Sequence, residues 1–166
     1  MRHVIAILLQ NEAGALTRVT GLISARGYNI ESLSVAPTND PTVSRVTLVT
    51  IGSDAVIAQI NAQLLKLVDV VAVEDMTSGD HLARELLLIK LQIPAEHIEQ
   101  AGALVRRAGG TVLSPIPSSY IVELASTEFE IGEFIASLGA FGEIIEVVRS
   151  GVLGMARSNP RLHMVK

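Results

Sequence analysis

The residues best placed to do chemistry are Gln10-Asn11-Glu12-Ala13-Gly14-Ala15-Leu16. There an apolar run, Val4–Leu9, gives way to helical spacing at Leu16, Val19 and Ile23. The chemistry such a junction offers is binding. The first turn of a helix leaves backbone N–H groups without internal partners, and these point at an anion in front of them. Gly14 can take a backbone conformation closed to other residues and lets a ligand come close. Asn11 adds an amide that both donates and accepts. A small molecule carrying a carboxylate and an ammonium, such as an amino acid, suits this set. The same residues also suit a strand-to-helix turn that holds nothing.

Other chemistries find little in the chain. No Ser/His/Asp set stands in a recognisable frame, and neither a phosphate-binding glycine loop nor GxGxxG is present. Glu12, Glu31, Glu74, Glu96 and Glu128 are scattered over expected helix surfaces and loops, which is how solvated carboxylates are distributed. His3, His81, His97 and His163 lie far apart, form no local metal-ligand spacing, and read as solvated or capping side chains. No catalytic residue and no metal ligand is expected. Cysteine is absent, which removes disulfides and thiolate sites.

A formal net charge of −4 argues against a nucleic-acid partner held through phosphates. The longest apolar runs, Val4–Leu9 and Leu86–Ile89, fall far short of the ~18 residues of a membrane span. The start Met1-Arg2-His3-Val4 has no signal-peptide pattern, so a cytoplasmic location is expected. With 49% hydrophobic residues in 166, the chain has more apolar material than one small core needs, and the excess is expected between subunits.

The elements that position Gly14 follow from periodicity. Val4–Leu9 is a strand covered on both faces, because its apolar residues run without alternation. A helix over about 15–26 turns Leu16, Val19 and Ile23 inward and Arg18 and Arg26 outward, and Gly27 ends it. Tyr28–Ala36 is a strand whose alternation slips between Ile30 and Leu33, the mark of a bulge or bend. The Pro37–Pro41 turn leads into the strand Val43–Ile51. Ser53 then caps a helix with Val56, Ile60, Leu64 and Leu67 on its apolar stripe, and Val70–Met76 is a fourth strand. This order, β-α-β-β-α-β, predicts both helices on one face of a four-stranded antiparallel sheet.

The pattern then repeats. Residues 77–83 are a polar linker. Residues 84–149 give a strand (85–93), a helix (95–108), two short strands (111–114 and 120–125) around the turn Pro115–Ser118, a helix marked by Ile131, Phe134, Ile135 and Leu138, and a strand (144–148). The fold class is therefore α+β, two ferredoxin-like βαββαβ domains in tandem, residues 1–76 and 84–149. Residues 150–166, with Arg157, Pro160, Arg161 and Lys166, lack a period and form a C-terminal tail, either frayed or ordered on an acidic partner. An RNA-recognition module of this fold would need exposed strand aromatics, yet aromatics are only 3% here. An acylphosphatase-like hydrolase would need arginine where Asn11–Gly14 stands.

Asn11-Glu12-Ala13-Gly14-Ala15-Leu16, then Arg26-Gly27-Tyr28-Asn29-Ile30-Glu31-Ser32-Leu33 and Val35-Ala36-Pro37-Thr38, closely resemble the small regulatory subunits of acetolactate synthase (acetohydroxyacid synthase). Arg149-Ser150-Gly151 and Gly154 match that family's C-terminal signature, so the resemblance covers essentially the whole chain. It implies that residues 1–76 are an ACT domain and that the chain is a non-catalytic subunit. Its partner would be a large transferase subunit carrying thiamine diphosphate, Mg and FAD, which the small subunit activates and makes sensitive to valine in branched-chain amino acid biosynthesis.

The resemblance also implies a homodimer through the ACT domains. The valine carboxylate would meet the N–H groups near Gly14, Ala15 and Leu16. Asn11, and Asn29 of the other protomer, would accept from its ammonium, and Leu16 and Ile30 would form an aliphatic wall. The alternative is a free-standing ACT-type amino-acid sensor that controls gene expression or another enzyme.

Overall fold

The structure, a computed structural model, describes residues 1–157. It comprises two compact units: Met1–Ala83 with the described residues from Val152 on, and Arg84–Gly151. Among the described residues no helix is long and apolar enough to cross a membrane.

The first unit runs β1 (Arg2–Gln10), α1 (Ala15–Ser24), β2 (Ile30–Pro37), β3 (Val43–Ile51), α2 (Asp54–Leu64) and β4 (Val70–Asp75). Its antiparallel sheet has the order β2-β3-β1-β4, so β2 and β4 are edges. Alternate residues of β1 point to opposite faces. Ile5, Ile7 and Leu9 meet Ala15, Val19 and Ile23 of α1 and Ile57, Ile60 and Leu64 of α2. Burying each large aliphatic side chain stabilises the fold by about 1.5–3 kcal/mol, and these contacts pin α1 and the loop before it to the sheet. The βαββαβ order expected from periodicity is the order found, and the slip in β2 is a register shift between Ile30 and Ser32. Ser53 caps α2 by accepting from the Val56 N–H. Three details differ from expectation. α1 stops at Ser24, β2 begins at Ile30, and Ile57 rather than Val56 joins Ile60 and Leu64 as a fully buried residue of α2. His3, expected to be solvated, is 2% exposed, with Nδ1 3.2 Å from Asp75 Oδ2.

The unit boundary falls within β5 (His81–Gln92). This strand starts inside the stretch expected to be linker: His81, Leu82 and Ala83 are half-buried, and Ala83 packs against the cluster of Val4, Ala6, Val49 and Met76. A 3-10 turn (Ala95–His97) precedes α3 (Ile98–Arg107), followed by β6 (Thr111–Ile116), β7 (Ser119–Ser126), α4 (Glu128–Gly139) and β8 (Glu143–Arg149). The order β6-β7-β5-β8 repeats the plan of the first sheet. β6 runs on through Pro115, which was expected to be turn. It is an edge strand, where a proline costs no ladder bond on its outer side. Leu87, Ile89, Leu91 and Ile93 pack with Val105, Tyr120, Val122, Phe134 and Leu138 in a second core.

Residues 152–157 correct the expectation that the tail begins at residue 150. Val152 is buried with Val4, Ala6, Val49 and Met76 on the face of the first sheet away from its helices, and β9 (Leu153–Ala156) pairs with β5. The Val152 N–H donates to Ser32 Oγ (2.9 Å), and Arg45 Nη2 donates to the Gly154 carbonyl (2.8 Å). A Cβ on Gly154 would run into the Met76 side-chain methyl and come within 3.2 Å of Val4 Cγ1, so a larger residue there would make Met76 repack. The covering that β1 requires on its second face thus comes from a stretch of the chain with one aliphatic anchor and no periodicity. Pro160, Arg161, His163 and Lys166 lie outside the described residues.

Candidate functional site

The loop between β1 and α1 is held from both sides. The Gln10 N–H donates to the Asp69 carbonyl (2.8 Å) and the Asn11 N–H to the Thr42 carbonyl (2.8 Å). Asn11 Nδ2 donates to the Pro41 carbonyl (3.0 Å), which leaves its Oδ1 as an outward-facing acceptor. Gly14 is the N-cap of α1 and adopts φ 84°, a left-handed conformation that suits glycine. No side chain caps this helix, and its first turn carries no acidic residue. The Ala15 N–H is taken by the Glu12 carbonyl (3.2 Å), while the Arg18 N–H begins the helical ladder at the Gly14 carbonyl (3.0 Å). The N–H groups of Leu16 and Thr17 lie between them and have no partner among the described residues. Of the donors expected to meet a carboxylate at Gly14–Leu16, the Gly14 and Leu16 N–H groups have no partner among the described residues, the Thr17 N–H lies beyond them, and the Ala15 N–H is spent in the turn.

Arg18, expected to point outward, is the main residue the periodicity missed. Its guanidinium forks onto Asp69, Nε to Oδ2 at 2.5 Å and Nη2 to Oδ1 at 2.9 Å, and Asp69 is only 4% exposed. The hydrogen bond from Arg18 holds the Asp69 carboxyl below its ordinary range, and the same bond raises Arg18. Nη1 remains, and it lies 3.1 Å from the position a Cβ on Gly14 would occupy. A cation thus stands beside the anion-facing helix end, and glycine is favoured at position 14 by its left-handed backbone. The signal available in the sequence was Asp69 itself, an acidic residue between the apolar residues Leu67 and Val70.

Ala15 is buried, and Leu16 and Ile30 are half-buried against the first core. Asn29 is exposed, and its carbonyl accepts from Thr50 Oγ1 (2.6 Å). Asn11, Gly14, Ala15 and Leu16 are together, whereas Asn29 and Ile30 are not with them. α1 has ten residues, about 15 Å at 1.5 Å per residue, and it separates the two groups. The sheet register agrees. Gln10 pairs with Val43 and Pro37 with Ser44 at the Gly14 end, while Ile30 and His3 both pair with Thr50 at the other.

The family model described as "AHAS small subunit-like ACT domain" matches residues 5–72, and that described as "Small subunit of acetolactate synthase" matches residues 84–158. These two matches, on the tandem βαββαβ fold, define the class: an ACT-domain regulatory chain. The chain is 46% identical to the acetolactate synthase isozyme 3 small subunit of Salmonella typhimurium over 96% of its own length and 98% of that protein's. It is 45% identical to the Escherichia coli isozyme 3 small subunit over the same shares. The crystal structure of the acetolactate synthase small subunit from Thermotoga maritima superposes with a TM-score of 0.87, at 29% identity, covering 96% of this chain and 99% of that one. The protein belongs to the family of acetolactate synthase small subunits, regulatory chains that are not themselves the catalytic subunit. The alternative of a free-standing sensor has no observation in its favour.

Proposed function

We propose that two copies of this chain pair along β2 and hold valine between the Gly14 loop of one and Asn29 of the other. The chain binds and activates the catalytic subunit of acetolactate synthase, and through the valine site it makes that subunit subject to feedback inhibition. What supports the reading is the position of the six residues on the sheet. A two-fold axis through the middle of the edge strand β2 would pair it antiparallel with its copy. It would then carry the partner's Asn29 and Ile30 to the end where Gly14 sits.

In this reading the valine carboxylate is met by the Leu16 and Thr17 N–H groups, the positive end of α1 and Arg18 Nη1. Asn11 Oδ1 and the other copy's Asn29 accept from the ammonium, and Leu16 and Ile30 border the isopropyl group. Val35, 41% exposed on β2, is covered by the pairing. Thiamine diphosphate, Mg and FAD reside on the catalytic subunit, and the assembly works in the cytoplasm on the route to valine, leucine and isoleucine.

The test is calorimetric titration of valine into the full chain, alone and with the catalytic subunit, alongside sedimentation of the chain alone. The expected result is a dimer with two valines, and enzyme activity that rises with the small subunit and falls with valine. A monomer at saturating valine, or inhibition without valine bound to this chain, refutes the reading.

A further inference from the structure

The two edges of the second sheet are built differently. β6 carries Pro115, one of the devices that keep an edge strand from pairing with another chain. β8 has no proline, glycine or lysine, and all seven of its residues are exposed. Four of them are aliphatic: Ile144, Ile145, Val147 and Val148 are 37, 51, 41 and 49% exposed. In the first unit the strand at the same place, β4, has every residue buried or half-buried. An exposed apolar edge is a template for a further strand.

The ladder between β8 and β5 shifts register once, between Lys90 and Leu91, and is regular from Glu146 to Arg149. The Ser150 N–H donates to the Leu86 carbonyl (3.0 Å), so Ser150 faces inward across the ladder. Backbone groups alternate in an antiparallel pair. Val148 and Glu146 therefore also face β5, while Val147 and Arg149 turn their N–H and C=O groups outward. The sequence of β8 decides how a copy of itself could meet those four groups. A two-fold axis at Glu146 sets two carboxylates against each other, and one at Arg149 sets two cations together, both unfavourable. An axis at Val147 pairs only that residue within the regular part. An axis at Val148 sets Val147 of each copy opposite Arg149 of the other, which uses every outward group, and leaves Glu146 opposite Ser150.

We propose that β8 is a self-association edge: two copies of the chain join through it, antiparallel about a two-fold axis at Val148, so that their second sheets run on as one. Self-complementarity of this kind is what a two-fold contact requires. Val148 lies opposite Leu88, on the face away from the buried Leu87 and Ile89. Across the axis the row Leu88, Val148, Val148, Leu88 becomes continuous and apolar. The charge nearest this row is matched within each copy, where Lys90 Nζ stands 3.2 Å from Glu146 Oε2. A partner of other sequence would have no reason to suit this register, whereas a second copy fits it by symmetry. The inference does not rest on the effector reading, which concerns β2 of the first sheet.

The chain has no cysteine, so a single one reports on its own surroundings. Val148→Cys and Val147→Cys are made in the full chain and oxidised with copper phenanthroline. Residues directly opposite in a narrow pair have Cα atoms about 4.5 Å apart, within disulfide reach, whereas diagonal neighbours stand about 7–8 Å apart. The expected result is a covalent dimer from Val148→Cys and little from Val147→Cys. Adding Val35→Lys, on β2, should leave the cross-link unchanged. In sedimentation without valine, Val148→Lys sets two cations at the axis and should weaken this association at least about tenfold, with native circular dichroism. Equal cross-linking by the two cysteines, or self-association unmoved by Val148→Lys, would overturn the assignment. So would loss of binding to the catalytic subunit in Val148→Lys with self-association intact, which would give the edge to that subunit instead.

Discussion

Replacing Gly14 separates the two things this residue does. At φ 84° any L side chain is in the left-handed region, at a cost to folding of about 1–2 kcal/mol. Asp tolerates that region better than most residues, so Gly14→Asp should cost somewhat less than Gly14→Ala. The added Cβ would meet Arg18 Nη1 at 3.1 Å, a contact the half-exposed guanidinium head relieves by moving a few tenths of an ångström. On stability, then, the two variants are close.

On valine they diverge. Alanine leaves the Leu16 and Thr17 N–H groups open. Aspartate brings its own carboxylate to them and to Arg18, doing from within what the effector would do from outside. Losing a charge-assisted hydrogen bond costs about 1.5–3 kcal/mol, which at 1.4 kcal/mol per decade is roughly 10–150-fold in affinity. The measurement is valine affinity by calorimetry on both variants, with urea unfolding on the same samples. Equal shifts in the two variants would show that bulk alone is responsible. An unshifted Gly14→Asp would remove the loop from the site.

Mixing Gly14→Asp chains with Asn29→His chains tests sharing directly. A site built from two copies should recover one valine per mixed dimer, whereas a site within one copy recovers none. Val152→Ala removes two methyl groups from a buried cluster and should cost the first unit about 2–3 kcal/mol. Hydrogen exchange should then quicken in β1 and β3 and stay unchanged in β7. In α4, Thr127 and Glu130 form a capping box, and hydrogen bonds from Ser126 and Thr127 bring the Glu130 carboxyl down to about 2. Its folded value lies below its unfolded one, so the box stabilises fully above about pH 4.5 and loses that contribution as pH falls toward 2. The stability gap between the protein and Glu130→Gln should close over this window. Thr127→Ala should cost about 0.5–2 kcal/mol at neutral pH.

What could be read in advance follows a physical line. Most elements announce themselves because they bury one face, and a face imposes a period: Ala15, Val19 and Ile23, or Leu87, Ile89 and Leu91; β1, buried on both faces, shows instead as an unbroken apolar run. The Gly14 turn was legible because its backbone demands a residue type. Arg18 was not, since its pairing with Asp69 spans 51 positions and an arginine on a helix reads as solvated until its partner is located. The same holds for Arg149 on the buried Glu85, and for His3 between Asp54 and Asp75. Val152 went unread because one buried residue makes no period.

The ten residues of α1 carry a consequence for regulation. If Gly14 and Asn29 shared one end of the helix, a ligand touching both could bind a single copy and leave assembly indifferent to it. Held about 15 Å apart by α1, they can meet only across two copies, so a ligand that contacts both binds the pair more tightly than the separate chains. By linkage, the free energy it adds to pairing equals its preference for the paired state. Valine should therefore tighten the dimer by the factor by which the dimer binds valine better. Sedimentation of dilute protein with and without valine measures that factor independently of enzyme activity. A dimerisation constant unmoved by saturating valine, alongside tight valine binding, would mean that the amino acid is held within one copy and that the helix does not separate the halves of its site.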